Sequence, residues 1–122
     1  MTDFNPPSKD TLFAIRALSG IDRILQLARF NDFDTDVIEQ VLEEAGKFAA
    51  DVLAPINIPG DQSGARVEDG SVVSSPGFAG AYQQFMDNGW QSLEVAPQYD
   101  GMGMPGIVAA AAMDYWQAAC LS

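Results

Sequence analysis

Apolar positions along this chain recur mainly at steps of three and four, so the pattern predicts helices and scarcely any strand. The clearest stretch is Val37, Ile38, Val41, Leu42, Ala45, Phe48, Ala49, Val52 and Leu53, which make one continuous apolar stripe. Glu39, Gln40, Glu43, Glu44, Lys47 and Asp51 take the opposite face. Thr35 or Asp36 is placed to cap this helix, and Asp36 with Glu39 fits a capping box. Pro55 is expected to end it, because the residue before a proline is pushed out of the α region.

Upstream, Met1 to Pro7 reads as a frayed lead-in. Ser8 can act as N-cap of a helix carrying Leu12, Phe13, Ile15 and Leu18, with Gly20 as its stop. A second short helix runs from Ile21 to about Ala28, with Ile21, Ile24, Leu25 and Ala28 on one face. Neither is long enough to stand alone in water, so both must pack on the later helices.

Downstream, positions 55–75 read as a long loop carrying Pro59-Gly60-Asp61, Gly64 and Asp69-Gly70. It either wraps along a surface or is a disordered linker, and composition does not separate the two. Val72-Val73 is at most a brief extended piece. Ser75-Pro76 opens a further helix, with Phe78, Tyr82, Phe85 and Met86 as its buried stripe and Gly89 as its end. Trp90 to Pro105 is an apolar elbow with two prolines and two glycines, in which Trp90 and Tyr99 are expected to be anchors. Pro105 opens a last helix that is apolar nearly all round, interrupted only by Asp114 and Gln117. Such a helix belongs in the middle of a protein. With no cap or polar last turn before Ser122, the chain reads as cut within an element of something larger. The fold expected is all-α, a bundle of about five helices.

Charge narrows the partners. With 6 basic and 17 acidic residues the formal charge is −11, which argues against a nucleic-acid backbone and against an anionic membrane surface. The acids are dispersed, so their plain reading is a solvated surface. No histidine is present, which removes Ser-His-Asp and Cys-His catalysis and every histidine metal site from this chain. One cysteine allows no internal disulfide. Cys120 in apolar company reads as a buried thiol, with no basic neighbour to activate it. Met1 to Ser8 lacks the pattern of a signal peptide, and no apolar run is long enough to span a bilayer. A soluble, cytoplasmic domain is expected. Gly101-x-Gly103 is not a dinucleotide loop, since no strand precedes it.

Three blocks carry a family resemblance. The first is Ile38-Glu39-Gln40-Val41-Leu42-Glu43-Glu44-Ala45-Gly46-Lys47-Phe48-Ala49-Ala50-Asp51-Val52-Leu53-Ala54-Pro55, followed by Asn57 and Asp61. The second is Pro76-Gly77-Phe78 with Tyr82-Gln83-Gln84-Phe85 and Gly89-Trp90. The third is Pro97-Gln98-Tyr99-Asp100-Gly101-Met102-Gly103-Met104-Pro105. In this order the chain resembles the N-terminal part of an acyl-CoA dehydrogenase. The added N-terminal helices resemble the larger bacterial branch, some of whose members act on sulfur-containing acyl-CoAs. Two departures stand out: Asp100-Gly101 replaces the usual paired glycines, and Asp114 replaces a usual glutamate. If position 100 needs positive φ, Asp can adopt it at some cost.

The resemblance implies that residues 1–122 form a single helical domain, the N-terminal fragment of a three-domain flavoenzyme. The parent reaction would be α,β-dehydrogenation of acyl-CoA thioesters, using FAD held by the other domains and a base in the C-terminal one. No catalytic, cofactor-binding or metal-binding residue is therefore assigned to this chain, and no FAD is expected to bind it alone. Its implied partners are the remaining domains and acyl-CoA, with a homo-oligomer through the last helix as a further expectation. Two other classes compete. One is a stand-alone helical interaction module using the apolar last helix. The other is an acyl-carrier bundle, which needs Asp-Ser-Leu and finds only Gln91-Ser92-Leu93.

Overall fold

The computed structural model describes residues 4–122. It is an all-α bundle: α1 (Ser8–Leu18), α2 (Ile21–Leu25), α3 (Thr35–Phe48), α4 (Ala54–Ser63), α5 (Phe78–Asp87) and α6 (Gly106–Ala119). A small antiparallel hairpin, β1 (Arg66–Glu68) and β2 (Ser71–Val73), pairs Val67 with Val72. Among the described residues five helices have ten or more residues, and α2 is a single turn.

The core lies between α3 and α6. From α3 come Ile38, Leu42, Ala45 and Phe48; from α6 come Val108, Ala112, Tyr115, Trp116 and Ala119. α1 and α2 add Ile15 and Ile21. Each large apolar side chain removed from water here contributes about 1.5–3 kcal/mol, so α6 holds the bundle together. The indole Nε1–H of Trp116 donates to the Ala45 carbonyl at 3.2 Å, tying α6 to α3 across the core. α6 is nevertheless not covered all round: Met113 is 47% exposed and Leu121, just beyond its end, is 81% exposed.

Several local expectations are corrected. The cap of α3 is Asp34, in extended conformation with its carboxylate accepting the Val37 N–H at 2.8 Å. Thr35 and Asp36 are already helical, so the cap lies just ahead of the pair that the sequence offers for it. Pro55 does not end the helical run. α3 passes into a π-helical turn, Ala49–Leu53, and continues as α4 with Pro55 in its first turn. The wider i→i+5 turn, in which the Ala54 N–H reaches Ala49 O, accommodates the proline ring, and Pro55 itself has no N–H to place in the ladder. Positions 55–75 are thus a helix and a hairpin rather than a long loop.

α2 stops at Leu25, three residues before the expected Ala28. Pro7 rather than Ser8 stands at the N-cap of α1, and Gly77 rather than Ser75 at that of α5. The lead-in is partly packed, since Phe4 rests on the core and Pro6 against Gly46. The part of it at Met1 to Asp3 lies outside the described residues. Tyr82 is 66% exposed and leaves the stripe of α5, whose buried residue is Ala81.

Candidate functional site

The elbow between α5 and α6 is a closed loop with its own hydrogen-bond ladder. It holds two short 3₁₀ turns, Trp90–Ser92 and Pro97–Tyr99. Its second half then folds back on its first: Met102 N–H donates to Ser92 O at 2.9 Å, Gly103 N–H to Val95 O at 2.9 Å, and Met104 N–H to Leu93 O at 2.8 Å. The closure requires a bare backbone at Gly101, where a Cβ would stand 1.9 Å from the Val95 carbonyl oxygen. It also turns through Asp100 at φ 61°, the positive φ that a glycine would take freely. Leu93 and Met104 plug the loop into the core.

The elbow delivers Trp90 onto the aromatic centre of the bundle. Phe48, Phe85, Trp90 and Trp116 meet there, with ring centroids 5.1 Å apart for Phe85–Trp116 and 5.4 Å for Trp90–Trp116. Their edge-on arrangement suits the aromatic quadrupole. Trp90 is therefore an anchor, as expected. Tyr99 is not, being 72% exposed on the far side of the loop.

Beside this cluster an open groove of about 330 Å³ runs between α4, α5 and α6. Leu53, Ile56, Phe78, Phe85, Met113 and Trp116 form its apolar walls, and Gln117, Cys120 and Ser122 give it a polar edge. α4 makes one wall only because it is helical: its Gly60 lies so close to α5 that a Cβ would sit 2.6 Å from the Phe78 ring. Sequence reasoning misses this wall. Its signal is the spacing of Leu53, Ile56 and Gly60, at steps of three and four through a region dominated by proline and glycine. Cys120 is half-buried at the rim rather than enclosed.

Charge chemistry stays away from the groove. Of the six basic residues, Lys9, Arg16, Arg23, Arg29, Lys47 and Arg66, none lines it. Lys47 pairs with Glu44 at 2.8 Å and Glu43 at 3.1 Å on the solvent face of α3. Hydrogen bonds to Glu44 and then Glu43 raise its ammonium pKa above the ordinary 10.5. Arg16 reaches Glu39 at 2.6 Å, bridging α1 to α3 at the surface, where such pairs contribute little. Among the described residues no cluster of cysteine, aspartate and glutamate could hold a metal ion. Ser92, the serine considered for a carrier arm, is half-buried with its hydroxyl donated to Gly89 O at 2.9 Å. The groove offers no cationic side chain to the pyrophosphate of a dinucleotide.

The fold is an all-α bundle with an apolar groove beside its aromatic centre. No protein-family model matches the chain. It is 39% identical, over 119 residues and 98% of its length, to a 3-methylmercaptopropionyl-CoA dehydrogenase of Ruegeria pomeroyi, covering 20% of that protein. It is 24% identical, over 110 residues and 88% of its length, to the broad-specificity linear acyl-CoA dehydrogenase FadE5 of Mycobacterium tuberculosis, covering 18% of it. The homologues of this chain are acyl-CoA dehydrogenases, and it is related to a part of that family's length. The chain spans about a fifth of the length of the relatives it matches. Among the described residues no helix is long and apolar enough to cross a membrane.

Proposed function

We propose that residues 1–122 are the N-terminal helical domain of a cytoplasmic, FAD-dependent acyl-CoA dehydrogenase. The whole enzyme would perform α,β-dehydrogenation of an acyl-CoA thioester, and this domain would form a wall near the acyl pocket. The observation that carries the reading is 39% identity over 98% of the chain to one such dehydrogenase. The groove supports it physically. A thioester substrate needs its apolar chain kept out of water, and the α4–α5–α6 face offers apolar walls without a competing charge. Flavin binding and proton abstraction are assigned to the other domains, so the chain alone is inactive.

The test is direct. Purified residues 1–122 mixed with FAD and a saturated acyl-CoA should show no retained flavin absorption after desalting and no turnover with an artificial electron acceptor. Joined to the rest of its reading frame, the same chain should yield a yellow, active protein. A fragment that alone holds one equivalent of FAD would overturn the assignment.

A second reading, a helical interaction module, draws on the exposure of Tyr82, Met113 and Leu121 around the same groove. Light scattering separates the two. A concentration-independent dimer that excludes a hydrophobic dye favours the module, whereas a dye-binding monomer favours a domain whose covering partner is absent.

A further inference from the structure

The residues after α6 do not continue its axis. Cys120 is extended, at φ −152° and ψ 117°, and the chain turns back over α4. There the Leu121 N–H donates to Asn57 Oδ1 at 3.0 Å, and the Ser122 hydroxyl donates to the Asn57 carbonyl at 2.8 Å. One residue of α4 thus receives both donors. Gly60, one turn further on, leaves the space they need: a Cβ there would stand 2.6 Å from Ser122 Oγ. Ser122 Oγ lies 3.7 Å from Cys120 Sγ, and both residues line the groove.

We infer that Asn57 is a positioning residue that sets the direction in which the chain leaves α6 and so shapes the polar end of the groove. The physical basis is the identity of its side chain. The Leu121 N–H lies beyond the helical ladder at an exposed position, and takes its acceptor from water or from a neighbouring group. The Asn57 amide oxygen supplies one from a neighbouring helix, at a fixed height along α4. An alanine at this site would leave the backbone carbonyl for Ser122 but only water for Leu121, and the exit would be held at one point instead of two. Cys120 is the reporter of that geometry, since its half-buried thiol sits between α6 and the held segment.

The experiment uses the 122-residue chain in its unaltered form and as Asn57→Ala, Asn57→Leu and Asn57→Asp. Amide hydrogen exchange of Leu121 is followed by NMR, Cys120 labelling by an aromatic disulfide reagent, and folding by circular dichroism. Asn57→Ala should speed Leu121 exchange about fivefold, the equivalent of one ordinary net hydrogen bond, and should speed Cys120 labelling as well. Asn57→Asp keeps an oxygen acceptor at the same place and should restore both rates, whereas Asn57→Leu, which fills a similar space with no acceptor, should leave both fast. Unchanged rates in a folded Asn57→Ala chain overturn the proposal. If that variant does not fold, Asn57→Asp decides: a folded Asp form with Leu121 exchanging faster than in the unaltered chain overturns it equally, and matching rates support it. None of these readouts involves flavin or substrate, so the outcome is independent of the dehydrogenase assignment.

Discussion

Single residues in this chain are constrained by backbone contact more than by charge. Gly101 is the sharpest case, because the Val95 carbonyl occupies the space of any side chain. Gly101→Ala is expected to cost about 2–4 kcal/mol, as forced overpacking of a closed loop does, and urea denaturation followed by circular dichroism will measure it. Tyr115 behaves oppositely. Its ring is fully buried, but its hydroxyl has no hydrogen-bond partner among the described residues. Removing an unpaired polar atom relieves a desolvation penalty, so Tyr115→Phe should be neutral or stabilising by up to about 1 kcal/mol. A clear fall in melting temperature would mean that the hydroxyl has a partner. The importance of Gly101 is legible in sequence only as part of a glycine-rich motif. Its reason, the Val95 carbonyl brought against it by the folded-back chain, exists only once the elbow closes.

At the scale of elements, the period of apolar residues is a sound guide and the punctuation is not. α3, α5 and α6 lie close to where their stripes put them. The departures cluster at helix ends and at prolines. Asp34, not its neighbours, caps α3, so Asp34→Ala should lower stability by about 1 kcal/mol. The same change at Asp36, which already lies within the helix, should matter much less; paired thermal melts check this. Pro55 is the expected stop of α3 because proline opposes a continuous ladder. The π turn satisfies that constraint by another route, restarting the ladder with proline in a first turn. Sequence periodicity shows the stripe reaching Leu53 but not the change of ladder, since Ala49, Val52 and Leu53 keep their apolar spacing through the π turn.

On the scale of the whole molecule, stability depends on a small aromatic centre. Trp116 touches Phe48, Phe85 and Trp90 and is hydrogen-bonded to α3. Trp116→Ala should cost about 3–5 kcal/mol, a large share of the roughly 5–15 kcal/mol typical of a domain. Its far-ultraviolet melting curve should broaden and move to lower temperature. The groove beside this centre has a different status. Its walls are apolar but open, which suits the proposed wall near an acyl pocket.

The sequence alone determined the helical class, the central place of the last helix, the absence of histidine chemistry and the family to which the homologues belong. These depend on composition, on period and on motif order, all of which survive without coordinates. Only the tertiary structure decided that α3 runs on through a π turn into α4, that α4 forms one wall of the groove, and that Asn57 receives the chain leaving α6. The last two rest on contacts between segments far apart in the chain. A proline or glycine in sequence reports what the local backbone tolerates, whereas packing decides which of the tolerated shapes is used.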